Sequence, residues 1–276
     1  MAHDRHRDGT ATARRRRMAR TIAIANQKGG VGKTSTTVNL GAALAEAGVP
    51  VLAIDLDAQR NATDWLRAEE NDGLYDLLTA APDAPTLTDL AVPTEADGLS
   101  IVPATRYLAG VERAMAREPV GAETVLRQAL AAVPPGRWDV ILLDCPPSLG
   151  LISISALVAA GEVLVPTEAG IHAVKGLAAL LETVDKVRAS LNPGLTEVMV
   201  LPVRVDRTRI ARQLIDTLHS QLGEQVLTTV IRDNVRLREA PGHRRPVTLS
   251  APTSPVAEDY RALAVELRRR AGRPAS

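Results

Sequence analysis

The stretch NQKGGVGKTSTT, Asn26–Thr37, decides how the rest of the chain is read. The apolar run TIAIA leads into it, and from Lys33 to Ala47 the apolar residues recur at helical spacing, so it reads as a glycine-rich turn between a strand and a helix. Such a turn presents successive backbone N–H groups and a helix N-terminus to a phosphate chain. Gly29, Gly30 and Gly32 allow close approach, Lys33 reaches the terminal phosphates as a point charge, and the Thr34 hydroxyl is suited to Mg²⁺. Lys28 is the unexpected member. The chain holds only three other lysines, Lys33, Lys175 and Lys186, so two of the four sit in this turn. The common phosphate-loop pattern has glycine where Gln27 stands; here Lys28 opens the loop, too early to fold back onto the phosphates of Lys33, and its charge is free for a neighbouring molecule.

Outward from the loop, short apolar runs alternate with segments of helical period: TIAIA, VPVLAIDLD, WDVILLDCP, GEVLVPT and EVMVLPVRV. Strands that are apolar almost throughout and separated by helices belong to a sheet covered on both faces. The expected fold class is therefore α/β, a doubly wound, mostly parallel sheet flanked by helices. Residues 70–97 mix a short helix with Pro-rich connections and read as an excursion from the sheet. A last helix is expected over about Ser254–Arg270. Residues 1–20 are basic without apolar periodicity and are expected to form a flexible arm, residues 21–271 a single domain built around the phosphate loop, and 272–276 a disordered tail.

Composition narrows the function. Of 276 residues 45% are hydrophobic, enough for a sizeable core, and the net charge is only +1. No apolar run approaches the roughly 18 residues of a membrane span. The arm leaves no room for the apolar core of a signal peptide, and the single cysteine, Cys145, excludes an intrachain disulfide or a four-thiolate cluster built by one chain. A cytoplasmic location is expected. Arginines cluster at 14–20, 204–212, 232–245 and 268–273, which reads either as solvated faces or as a nucleic-acid surface.

Nucleotide hydrolysis also needs carboxylates at strand ends beside the loop. VLAIDLD ends in Asp55 and Asp57, and VILLD ends in Asp144.

The variant loop Lys-Gly-Gly-x-Gly-Lys-Thr is the deviant Walker A motif, and with it the chain resembles the ParA/MinD group of P-loop ATPases, most closely the Soj-like partition ATPases. NQKGGVGKTSTTVNLGAALA, DLDAQRNAT, GLYDLL, DVILLDCPPSLG and NVRLREAPGHRRPV fall in the order of that family. The resemblance spans about residues 21–267. It implies an ATPase using ATP and Mg²⁺, with nucleotide held by Lys28, Gly29, Gly30, Val31, Gly32, Lys33, Thr34 and Ser35. It implies that Lys28 crosses a dimer interface to the partner's nucleotide, that Asp57 orients the attacking water, and that Thr34 and Asp144 serve the metal, Asp144 through water. Ala58 and Arg60 depart from the family's proline and glycine, which bears on turnover rate.

The family also implies an ATP-dependent homodimer that binds double-stranded DNA without sequence preference, associates with the nucleoid, and is released when a ParB-type partner stimulates hydrolysis. Arg207 and Arg236 fall at the family's DNA-contacting positions; Arg209, Arg244 and Arg245 are further candidates, offsetting the arrival of Asp233 beside Arg232. A MinD-like regulator cycling on a membrane, or an ATPase positioning a protein complex, is the alternative. The first lacks a C-terminal amphipathic anchor here, and an iron–sulfur carrier of the same fold lacks its cysteines.

Overall fold

The computed structural model describes residues 18–117, 121–168 and 173–271. The expected arm lies outside these up to residue 17, as does the expected tail at 272–276. Arg20, assigned to the arm from its charge, is the first residue of β1 (Arg20–Ile24). Its guanidinium pairs with Glu162 and donates to the Leu267 carbonyl at 2.6 Å, which fixes a charged residue at a strand end.

The chain continues through α1 (Lys33–Glu46), β2 (Val51–Asp55), α2 (Asn61–Trp65), α3 (Gly73–Leu78), α4 (Leu87–Leu90), β3 (Val92–Pro93) and β4 (Leu99–Val102). Then come α5 (Leu108–Met115), α6 (Val125–Ala131), β5 (Val140–Asp144), α7 (Leu151–Ala159), β6 (Glu162–Glu168) and α8 (Ala173–Ser190). The last part holds β7 (Glu197–Val205), α9 (Arg209–Leu222), β8 (Ile231–Arg232), α10 (Val235–His243), α11 (Val247–Ser250) and α12 (Pro255–Arg270). Ser254 caps α12 by accepting from the Ala257 N–H, with Pro255 at the first helical position, so the helix starts where the sequence places it.

The eight strands lie in the order β3-β4-β2-β5-β1-β6-β7-β8, all parallel except β3 against β4. β2 and β5 are buried along their whole length, as strands covered on both faces must be. One face carries α1 and α12, with Leu40, Leu44, Tyr260, Leu263 and Leu267 fully buried against Ile22, Ala53 and Leu142. The other carries α3, α5, α6, α7 and α8 over Ala23, Ile54 and Leu143. The excursion at 70–97 contains two short helices and the antiparallel edge strand β3. Both edges of the sheet, β3 and β8, are strands of two residues.

This strand order decides where a ligand can sit. From β1 the chain passes through α1 to β2, beyond β5, whereas from β5 it passes through α7 to β6, on the far side of β1. Connections leaving neighbouring strands in opposite directions open a crevice at the carboxyl ends of β1 and β5. The glycine loop and the strand-end aspartates meet there.

Candidate active site

The loop between β1 and α1 is shaped by backbone rather than by side-chain caps. Gly30 has φ +73° and Gly32 φ +87°, left-handed values that a side chain disfavours. Gly32 occupies the N-cap of α1 and supplies no capping side chain, so the first-turn N–H groups are left to a ligand. Asn26 anchors the loop's entry: its amide donates to the Pro166 carbonyl on β6 at 2.8 Å and its oxygen accepts the Lys28 N–H at 3.0 Å.

The two lysines are in opposite environments. Lys33 is buried, with Nζ 3.4 Å from the Lys28 carbonyl, and burial lowers its pKa while the charge of Asp144 pulls it back up. Lys28 is exposed and pairs with Glu168 at the end of β6. Glu168 also accepts from Arg204 at 2.5 Å. Arg204 holds the left-handed φ of +53° near the end of β7. Glu168 did not stand out in the sequence, and Arg204 entered only as the first of the arginines at 204–212; a carboxylate ending GEVLVPTE beside the loop's own strand was the available signal.

Asp55 and Asp144 are register partners on adjacent strands. Both are buried. Asp55 accepts the Thr63 N–H at 2.9 Å and hydroxyl at 2.7 Å, and the Asp57 N–H at 3.2 Å, so it organises the turn carrying Asp57. Thr37 donates to Asp144 Oδ1 at 3.1 Å, with Thr34 also beside this carboxyl. Asp144 Oδ2 is buried without a hydrogen-bond partner among the described residues. Burial pushes both carboxyl pKa values up, with the neighbouring Asp55 charge adding to the shift at Asp144. An orphaned oxygen in a carboxyl that Thr34 adjoins and that resists ionising without a cation fits a divalent metal ion. Cys145 is buried behind it and burial pushes its thiol pKa up, so it is an inert core residue.

Two cavities adjoin the loop. One of ≈ 340 Å³ is bounded by Gly30, Lys33, Thr34, Asp57, Pro147 and Arg204. The other, ≈ 260 Å³, lies between Val31, Ser35, Asn234, Leu237 and Tyr260. Both share Gly32, Ser35, Arg204 and Pro241 in their walls, so they follow one another across the loop. The walls of the second include β8–α10 and α12, segments that sequence reasoning did not connect with the site.

The five candidate DNA arginines are all exposed. Arg207 and Arg209 lie where β7 leads into α9, and Arg236 lies in the first turn of α10 after the neighbouring β8. Arg236 pairs with Glu239 at 3.0 Å. Arg244 and Arg245 are at the far end of α10 and are held there: Arg244 donates to the Asp64 carbonyl at 2.9 Å and Arg245 pairs with Glu95 at 2.6 Å. Arg232 binds Asp259 at 2.6 Å, fixing β8 to α12.

With this geometry, residues 19–197 match the family described as AAA domain. The chain is 45% identical over 253 residues to the chromosome-partitioning ATPase Soj of Thermus thermophilus, covering 91% of this chain and 96% of that protein. It is 41% identical over 235 residues to the chromosome partitioning protein ParA of Caulobacter vibrioides, covering 83% and 86%. The crystal structure of cobyrinic acid a,c-diamide synthase from Mycobacterium smegmatis with bound ADP and magnesium superposes with a TM-score of 0.79 at 32% identity, covering 93% of this chain and 97% of that one. The uncapped glycine loop, the paired strand-end aspartates and the length of these matches agree: the chain is a P-loop ATPase and belongs to the Soj/ParA family of chromosome-partitioning ATPases.

Proposed function

We propose that the protein is a DNA-partition ATPase that dimerises on ATP, binds duplex DNA non-specifically through the dimer, and is released by hydrolysis that a ParB-type partner stimulates. The observation that carries this reading is the contrast between the two loop lysines. Lys33 is buried in its own phosphate cavity, whereas Lys28 stands exposed, where a second copy can meet it.

The triphosphate lies against the first-turn N–H groups of α1, with Lys33 on its terminal oxygens and the base in the cavity beside Tyr260. Thr34 and Asp144 hold Mg²⁺, Asp144 through water. Among the described residues no group of three His, Cys, Asp or Glu side chains could hold a metal by itself, so Thr34 and Asp144 would hold it together with the bound nucleotide. Bound Mg²⁺ supplies charge neutralisation for phosphoryl transfer. Asp57, held at the cavity wall by Asp55, orients the attacking water. Lys28 adds its charge across the interface, which couples hydrolysis to the dimer.

On the outer surface Arg207, Arg209 and Arg236 contact phosphates, with Arg244 and Arg245 contributing after release from their internal partners. Two weak patches on one rigid dimer bind far better than either alone. The protein then resides on the nucleoid while ATP persists. Among the described residues no helix is long and apolar enough to cross a membrane.

The test is retention on non-specific duplex DNA with no nucleotide, ADP, ATP, or ATP and the Lys28→Ala protein, over a salt series. Strong, salt-sensitive retention only with ATP and intact Lys28 is expected. An ATP-dependent dimer that ignores DNA overturns the DNA reading in favour of another cargo.

A further inference from the structure

Arg60 occupies a backbone position that a side chain disfavours, with φ +57° and ψ 28°, at the N-cap of α2, and makes no capping bond there. It is nonetheless the pivot of the Asp57 turn. Its N–H donates to the Asp57 carbonyl at 2.8 Å, and its own carbonyl accepts the Asp64 N–H at 2.9 Å. Its guanidinium is about one-quarter exposed and pairs with Glu70, with Asp64 at 3.3 Å on the other side.

Glu70 is itself fixed from a different part of the fold. Its Oε1 accepts the Arg106 N–H at 2.9 Å, lies 3.1 Å from the Thr105 hydroxyl, and meets the Arg106 guanidinium at 3.5 Å. Residues 104–106 follow β4, and the same segment receives a second link from the turn, because the Ala104 N–H donates to Thr63 Oγ1 at 2.8 Å. Thr63 in turn binds Asp55. The Asp57 turn is thus held at both ends against the end of β4: by Thr63 on its inner side and by Arg60 through Glu70 on its outer side.

We propose that Arg60 is a positioning residue for hydrolysis: its ion pair with Glu70 holds the Asp57 turn in place against residues 104–106, so that Asp57 faces the phosphate cavity before nucleotide arrives. The inference rests on the reading of Asp57 as the group that orients water. Arg60 does not line the phosphate cavity, whose wall is formed on this side by Asp57, Gln59 and Asn61. It offsets its own backbone strain with the pair and removes a freedom the turn would otherwise spend at each turnover.

The experiment compares steady-state ATP hydrolysis of the full chain with DNA present for R60G, R60A, E70Q, the double variant R60G/E70Q, and D57A. Glycine accepts the left-handed φ, so R60G removes the tether while relaxing the backbone, and thermal melting confirms that it folds. The expected result is a roughly tenfold lower kcat for R60G, R60A and E70Q alike, with the Kd for ATP changed less than about twofold, and a double variant no slower than either single one. A kcat for R60G equal to or above the parent, or single effects that multiply in the double variant, overturns the proposal. The D57A protein separates the two readings: hydrolysis at the parent rate there overturns the role of Asp57 itself, whereas an inactive D57A beside an unaffected R60G overturns the tether alone.

Discussion

Glu168 grips two cations at once: Oε2 pairs with Lys28 Nζ and Oε1 accepts from Arg204 Nη1 at 2.5 Å. In the proposed dimer Lys28 must break this contact before it reaches the partner's nucleotide. The pair is partly exposed, with 62% of the Lys28 side chain and 24% of Glu168 accessible, so it is worth at most ~1 kcal/mol. The Glu168→Gln protein is expected to reach half-maximal dimer at up to about fivefold lower ATP concentration, measured by sedimentation velocity. An unchanged or higher midpoint shows that Glu168 does not restrain Lys28.

The buried aspartates predict the pH response of the nucleotide-free protein. Burial raises the pKa of both Asp55 and Asp144 above their unfolded values. The folded chain therefore retains protons that the unfolded chain has released, and stability falls as pH rises above the ordinary carboxylate range of about 4. Asp144→Asn keeps an acceptor for Thr37 and removes the charge. Its nucleotide-free melting temperature at pH 7.5 is expected to rise by roughly 2–4 °C with a shallower pH slope, while Mg²⁺-dependent stabilisation by ATP is lost. A lower melting temperature contradicts this account.

In the proposed site Lys33 and Thr34 act on different parts of the ligand. Lys33→Ala removes charge-assisted bonds to the terminal phosphates and should weaken ATP binding by roughly 10–100-fold with or without Mg²⁺. Thr34→Ala should leave metal-free nucleotide binding within about threefold of the parent and lose the gain that Mg²⁺ brings. Isothermal titration of ADP and ATP, with Mg²⁺ or with chelator, separates them; identical losses in both conditions would remove Thr34 from the metal.

For the proposed DNA surface the measurement is the salt slope. If the ATP dimer neutralises about six phosphates, log affinity against log salt has a slope near −5. Arg207 and Arg236 each occur twice in a dimer, so Arg207→Ala or Arg236→Ala is expected to reduce the slope by about two, equally on any duplex sequence. Arg232→Ala is expected to leave the slope alone and to lower the melting temperature, because its charge is already committed to Asp259.

The parts of the site legible in sequence were those set by neighbours in the chain or by strand register. The glycine loop is local, and an aspartate ending an apolar run lands at the carboxyl end of a parallel strand wherever that strand sits, which placed Asp55 and Asp144, with Asp57 two residues beyond in the turn. What stayed hidden depended on which strands are adjacent. Glu168 meets Lys28, 140 residues earlier, only because β6 lies next to β1. Charge was the least reliable guide. Arg20 looked like the end of a basic arm and is a strand residue paired with Glu162; Arg232 looked like the start of an arginine cluster and fastens β8 to α12. An arginine's reach of several bonds leaves its partner undetermined until the fold brings an acid to it.

The two-residue strands at the margins, β3 with Pro93 and β8, restrict how copies of this chain can assemble. A sheet bordered by such stubs offers no long row of free backbone groups on which another chain could template itself, and proline removes one donor from what remains. Growth of the sheet from molecule to molecule into a continuous ribbon is thereby blocked. In the proposed dimer, contact is then left to the rim where the strands end, so that joining two molecules and enclosing two nucleotides would be one event.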